Sequence, residues 1–105
     1  MHFEIRLAEH GDAVRMTIIG ELDLATAPEF EKALGEVEAS DVEAIVVDLD
    51  ELEFLDSTGL RALLAADARS RANGGRLSLT RGSPPVRRLF ELVGAESRLP
   101  FVDAG

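Results

Sequence analysis

Apolar and polar residues alternate strictly in two stretches near the start of this 105-residue chain. Phe3, Ile5 and Leu7 are separated by charged or small residues, and a second alternating stretch covers residues 14–18. Alternation with a period of two is typical of strands that bury one face. Because a short loop containing Gly11 separates the two stretches, they predict an antiparallel hairpin.

Three further strands are predicted downstream. Residues 44–47 are apolar without interruption and end at Asp48, which predicts a central parallel strand with both faces covered. Residues 76–80 alternate and predict another short strand. Residues 99–102 predict a short strand at the edge of the sheet, because Pro100 would be tolerated only there.

The first helix is predicted to begin after Thr26, which stands three residues before Glu29 as in a capping box, with Pro28 in the first turn. The second helix is predicted to begin near Ser57 and to end at residues 73–75, Asn-Gly-Gly. The inward stripe of the first helix is Ala27, Phe30, Leu34 and Val37, and that of the second is Leu60, Leu63 and Leu64.

The third helix is predicted between Ser83 as N-cap and Gly94 as C-terminal signal, with an inward stripe of Val86, Leu89, Phe90 and Val93. The predicted order is therefore β-β-α-β-α-β-α with one optional last strand. Right-handed crossovers make the later strands parallel. We expect a single α/β domain over residues 1–105: a small mixed sheet, with an N-terminal antiparallel hairpin and then parallel βαβ units, packed with helices.

The formal net charge of −9 argues against nucleic acid or an anionic membrane as a partner, because a uniformly acidic surface repels phosphate groups. No stretch has the roughly 18 apolar residues of a membrane helix, and the first residues do not resemble a signal peptide. The chain has no cysteine and so no thiolate metal site. A cytoplasmic location is expected.

Residues 56–60, Asp-Ser-Thr-Gly-Leu, stand where a strand ends and a helix begins, the edge at which ligands collect in open α/β sheets. The simpler interpretation is a helix cap by Asp56 or Ser57, so Ser57→Ala is expected to cost about 1 kcal/mol. That interpretation does not explain Gly59, which costs about 1 kcal/mol relative to Ala inside a helix and would be needed if another surface approached closely. Ser57 is a candidate phosphate acceptor.

A second candidate segment is residues 20–23, Gly-Glu-Leu-Asp. In the predicted sheet this segment leaves the strand beside the central one, which would bring Glu21 and Asp23 to the same edge as Ser57. An ordinary strand end followed by a loop is the simpler alternative.

Evidence for a catalytic or metal site is weak. Asp48, Asp50 and Glu51 would suit magnesium, but solvated carboxylates at a strand end explain them better, and Lys32, the only lysine, lies on the outer face of a helix. His2 and His10 have no partner at ligand spacing. We expect no metal, no cofactor and no enzymatic activity, since no nucleophile–base pair lies within sequence reach.

Taken together, four motifs resemble the STAS-domain family, specifically bacterial anti-sigma factor antagonists, over essentially the whole chain. They are Gly-Glu-Leu-Asp at 20–23 followed by Thr26-Ala27, Val-Val-Asp-Leu at 46–49, Phe-Leu-Asp-Ser-Thr-Gly-Leu at 54–60, and residues 83–94. Each motif alone is weak, but their order and spacing are specific.

The resemblance implies a partner-switching mechanism. The unphosphorylated antagonist would bind an anti-sigma factor, a GHKL-type Ser/Thr kinase, and free a sigma factor; phosphorylation of Ser57 would block binding, and a PP2C-type phosphatase would reverse it. Asp23 matches an acid at the kinase-binding edge, whereas Arg61 departs from the small residues common at its position. The implied partner-binding residues are Glu21, Asp23, Asp56, Thr58, Gly59, Leu60 and Arg61.

Two other functions remain open. A STAS domain can be a constitutive scaffold subunit, for example of a lipid-transport complex, in which Ser57 would only cap a helix. A nucleotide-binding protein is a distant third, because the chain has no glycine-rich phosphate loop and no catalytic lysine.

Overall fold

The structure, a computed structural model, describes residues 2–102, so Met1 and residues 103–105 of the predicted single domain lie outside the described residues. The helices are Ala27–Glu38 (α1), Ser57–Ala72 (α2) and Pro84–Val93 (α3). The strands are Phe3–His10 (β1), Ala13–Leu22 (β2), Ala44–Asp48 (β3), Leu52–Leu55 (β4), Leu77–Thr80 (β5) and Phe101–Val102 (β6).

The six strands form one mixed sheet in the order β1-β2-β3-β5-β6, with β4 pairing further along β2. β1 and β2 are an antiparallel hairpin, and every other pairing is parallel. The predicted α/β class, hairpin and parallel βαβ units are confirmed. The edge position predicted for the last strand is also correct, since β6 pairs with β5 alone.

β4 is absent from the predicted order. After β3 the chain makes a tight turn, in which the N–H of Leu52 donates to the carbonyl of Leu49 at 3.1 Å, and it then pairs with the distal part of β2. Leu52 and Leu55 are buried while Glu53 and Phe54 are exposed. This pattern is neither alternating nor continuously apolar, so no strand periodicity reveals it.

Strand alternation gives the sheet one fully buried face. Met16, Val47 and Leu79 point to that face and are completely buried in the core shared with the helices. Arg15 and Val46 point to the opposite face and are only half-buried. The prediction that the central strand is covered on both faces is therefore wrong, although its central position is correct.

α1 buries the stripe predicted for it, but the predicted capping box does not form. The Thr26 hydroxyl instead donates to the carbonyl of Glu21 at 2.7 Å and accepts from the N–H of Asp23 at 2.9 Å. Thr26 therefore folds the loop between β2 and α1 back on itself, and its side chain is unavailable as a helix cap.

The stripes predicted for α2 and α3 are partly wrong. In α2 the buried positions are Gly59, Ala62, Leu63, Ala66 and Asp67, and Leu60 and Leu64 pack only at the margin of the core. Small side chains at this interface let the helix axis approach the sheet. In α3, Val86 and Phe90 are buried, Leu89 is half-buried and Val93 is exposed. Ser83 is the N-cap residue of α3 as predicted, but its hydroxyl donates to the carbonyl of Leu52 and makes no cap hydrogen bond. Gly94 closes the helix as predicted, in the left-handed conformation.

Candidate functional site

The site predicted around Ser57 lies where two neighbouring parallel strands end. Leu22, the last residue of β2, pairs with Leu55, the last residue of β4. Asp23 and Asp56 follow these two residues directly and so leave the sheet side by side. The structure thus brings the two predicted segments to one edge, and it does so through β4, a strand that was not predicted.

Asp56 is the N-cap of α2. One carboxylate oxygen accepts from the N–H of Gly59 at 2.9 Å, and the other accepts from the N–H of Leu24 at 3.3 Å. Its own N–H donates to the carbonyl of Leu22 at 3.3 Å. A single side chain therefore satisfies a free donor of the helix and holds the loop after β2 against it. The expectation that Ser57→Ala removes the cap is wrong, because Ser57 is already inside the helix.

Asp23 has a similar role at the start of α1. Its Oδ1 accepts from the N–H groups of Ala25 and Thr26 at 3.0 and 3.1 Å, and its carbonyl accepts from the N–H of Ala27 at 2.8 Å. The half-buried carboxylate therefore points into its own loop. Its hydrogen bonds fix the chain at the start of α1, as the predicted capping box was expected to do.

Gly59 is required by the chain's own backbone. It is buried in the first turn of α2, and a Cβ atom there would overlap the carbonyl oxygen of Leu22 and lie 2.7 Å from a methyl group of Leu55. The close approach inferred from the sequence therefore exists within the domain. No external surface is needed to explain this glycine.

The exposed part of the site consists of a few side chains at the start of α2. Ser57, the first residue of the helix, is exposed, while Thr58 and Leu60 are half-buried. Arg61 is also exposed, and its Nε donates to the carbonyl of Ser57 at 3.4 Å. Glu21, the second-last residue of β2, is half-buried.

Leu24 was not predicted as a site residue from the sequence. Its side chain is 73% exposed, although its N–H is held by Asp56. Phe54, on β4, is another large apolar side chain with 48% exposure. The sequence does offer a signal for Leu24: it is an apolar residue in a polar loop and belongs to no helical or alternating pattern. A single exposed apolar side chain needs no functional explanation, but the loop of Leu24 is bonded to Asp56, next to Ser57, which makes Leu24 a candidate contact residue.

Of the three carboxylates weighed as a magnesium site, Asp48 has structural partners. Asp48 is nearly buried, and its Oδ2 accepts from Nε of Arg15 at 2.9 Å. Its Oδ1 accepts from the hydroxyl of Thr80 at 3.3 Å and from the N–H of Asp50 at 2.9 Å. Among residues 2–102, no cluster of three or more carboxylates or imidazoles is placed to hold a metal ion.

Over the same residues, none of the three helices combines the length and the apolar character that crossing a bilayer requires.

Both the sequence and the fold are similar to those of known proteins. A family model described as "Mlab, STAS domain" matches residues 5–102. The anti-sigma-F factor antagonist RsfB of Mycobacterium tuberculosis is 35% identical over 92 residues, which are 88% of this chain and 75% of RsfB.

Two solved structures are similar to the whole domain. An anti-sigma factor antagonist from Mycobacterium paratuberculosis superposes with a TM-score of 0.81 at 28% identity, covering 98% of this chain and 87% of that one. The anti-sigma factor antagonist SpoIIAA in its unphosphorylated form superposes with a TM-score of 0.78 at 25% identity, covering 97% and 89%. The sheet and helix arrangement described above is that of these proteins.

Proposed function

Since the chain belongs to the STAS domain family, we propose that it is an anti-sigma factor antagonist controlled by phosphorylation of Ser57. The unphosphorylated protein binds an anti-sigma factor, itself a GHKL-type Ser/Thr kinase, and so releases a sigma factor. Phosphorylation blocks that binding, and a PP2C-type phosphatase restores it. Supporting this, the relatives are named as antagonists, and one solved neighbour is described as an unphosphorylated form.

The observation that carries the proposal is the division of roles between Asp56 and Ser57. Asp56 makes the hydrogen bonds that start α2, so the hydroxyl of Ser57 is free to react. Ser57 is exposed and Thr58 is half-buried, which favours Ser57 as the acceptor. An exposed hydroxyl on a rigid helix end can enter a kinase active site without local unfolding.

The chemical step belongs to the kinase. Oγ of Ser57 attacks the γ-phosphorus of ATP, the new O–P bond forms as the bond to ADP breaks, and the hydroxyl proton passes to a base of the kinase. The product carries about −1.5 to −2 charges. At a helix N-terminus the helix dipole favours such a charge by about 0.3–1 kcal/mol, so the fold is expected to survive.

The new charge is expected to weaken the contact with the anti-sigma factor. Asp23 and Asp56 already make this edge acidic, and both carboxylates are engaged in hydrogen bonds within the chain. A phosphate buried beside them against a partner would have to be desolvated at a cost of several kcal/mol, which the neighbouring Arg61 guanidinium would offset only in part. An effect of only about 2–3 kcal/mol would weaken binding about 30- to 150-fold.

The contact surface that we propose is smaller than the set of residues implied by the resemblance. Its exposed members are Ser57, Arg61 and Leu24, and Leu24 would be the apolar anchor. Glu21, Thr58 and Leu60 lie at its half-buried margin. Asp23, Asp56 and Gly59 act beneath it by holding the loop and the helix start in place.

The protein is proposed to be a substrate and binding partner, with no catalytic activity of its own, acting in the cytoplasm. The alternative is a constitutive STAS subunit, which is compatible with a match to a family described as "Mlab, STAS domain". In that function Ser57 would never be modified. The two functions therefore differ in one measurable event.

To test the proposal, each GHKL-type anti-sigma factor kinase of the source bacterium is incubated with this protein and ATP, and the phosphorylated residue is mapped by mass spectrometry. We expect one kinase to modify Ser57, and Ser57→Ala to abolish the modification while Thr58→Val preserves it. Phosphate mainly on Thr58, or on neither residue with any of the kinases, would contradict the proposal and favour the constitutive subunit.

A further inference from the structure

β1 leaves one edge of the sheet open. It pairs with β2 over eight residues, and within residues 2–102 no strand lies on its other side. Its pairing with β2 runs without a register shift, and it contains no proline. Two of the devices that protect an exposed edge, a bulge and a proline, are therefore missing, and the unpaired backbone groups can accept another strand.

The two faces of β1 differ in character. Phe3 and Ile5 lie on the core face and are half-buried, and Leu7 continues that face but is 56% exposed. Glu4 and Arg6 lie on the opposite face, where Nε of Arg6 donates to a carboxylate oxygen of Glu4 at 2.8 Å. The Arg6 guanidinium lowers the pKa of the Glu4 carboxyl, so both groups are charged at neutral pH.

We propose that β1 pairs antiparallel with β1 of a second copy of this chain. The two copies are related by a two-fold axis that passes midway between their Ile5 residues. In this register Glu4 of each copy lies opposite Arg6 of the other, Phe3 lies opposite Leu7, and Ile5 lies opposite itself. Over residues 3–7, every apolar residue meets an apolar residue, and every charge meets its opposite. The two sheets become one, with both helix layers on the same side.

The register follows from the sequence of β1. Residues directly opposite each other in an antiparallel pair point to the same face. A two-fold axis normal to the sheet must therefore lie between two copies of the same residue, which face each other across the axis. An axis at Glu4 or at Arg6 would bring two like charges together, which is destabilising. An axis at Leu7 would place Ile5 opposite Glu9. Among the axes at residues 4–7, only the one at Ile5 avoids such a conflict.

Charge also favours this side of the molecule for self-association. Two copies with a net charge of −9 each repel one another, so a contact between them has to be locally neutral. Residues 3–8 carry one acid, Glu4, and one base, Arg6. The exposed face of α1, by contrast, carries Lys32 among three acids, Glu29, Glu31 and Glu36.

Charge exchange across the axis tests the proposal, which stands independently of the function proposed above. Glu4→Arg places two arginines on each strand and Arg6→Glu places two glutamates there, so each single variant should associate about tenfold or more weakly than the parent. The double variant Glu4→Arg/Arg6→Glu restores complementarity and should recover dimerisation. An equimolar mixture of the two single variants should form the heterodimer.

Sedimentation equilibrium from about 10 µM to 1 mM measures these associations, with thermal melts to show that each variant is folded. Arg87→Glu, the same change of charge on exposed α3, is the matched control and should leave association unchanged. A parent that stays monomeric throughout, single variants that dimerise like the parent, or a mixture that stays monomeric would each overturn the proposal. So would an Arg87→Glu variant as impaired as Arg6→Glu.

Discussion

At the scale of single residues, the site depends on two neighbours with separate tasks. Asp56 has the extended backbone typical of an N-cap, with φ −105° and ψ −175°, and its carboxylate bonds both the helix and the loop after β2. Ser57, one residue later, is helical and exposed. The sequence showed that one of them would cap the helix, but the choice depends on backbone angles that no residue pattern specifies.

Asp56→Ala should therefore destabilise the domain, and Ser57→Ala should not. Loss of an N-cap costs about 1 kcal/mol, which for a domain of this size lowers Tm by roughly 4–8 °C. The additional bond from Asp56 to the N–H of Leu24 places the expected loss in the upper part of that range. Differential scanning calorimetry of both variants measures the difference; a Ser57→Ala variant that melts as low as Asp56→Ala would show that Ser57 shares the cap.

At the scale of elements, the packing of α2 on the end of β2 determines the site. The pattern of apolar residues identified the hairpin, all three helices and the central strand. It failed where packing is not periodic: the burial of β4 is irregular, and the buried face of α2 consists mainly of glycine and alanine, which carry little hydropathy signal.

Two glycine substitutions test this packing against each other. Gly59→Ala should destabilise the domain by about 1–3 kcal/mol, as overpacking does, because the added methyl group overlaps the Leu22 carbonyl. Gly35→Ala, in the middle of α1 where an added Cβ meets nothing within 4 Å, should stabilise it by about 0.5–1 kcal/mol.

Chemical denaturation with both variants and the parent gives the two free energies of unfolding. Effects of the same sign at the two positions would contradict the account, because helix propensity alone predicts stabilisation at both. A Gly59→Ala variant of parental stability would show that α2 can move away from β2, and the close approach would then not constrain the site.

At the scale of the whole molecule, the proposed switch at Ser57 is nearly independent of the fold. The motifs led to the family because their order along the chain is specific, and the comparisons confirm it. What the sequence did not show is how Asp23 and Ser57, 34 positions apart, come to one edge, because that depends on β4 pairing with β2. Ser57, the proposed phosphorylation site, lies at that edge, outside the core.

The most direct test of the central claim is a calorimetric titration of the anti-sigma factor kinase with the parent, Ser57→Asp and Ser57→Ala, with Tm measured on the same samples. A carboxylate is favourable at a helix start, so we expect Ser57→Asp to keep its Tm within a few degrees and to bind about 30- to 150-fold more weakly. Ser57→Ala should bind like the parent. A Ser57→Asp variant that binds as tightly as the parent, or one that unfolds, would contradict the claim that Ser57 is an exposed switch at the partner interface.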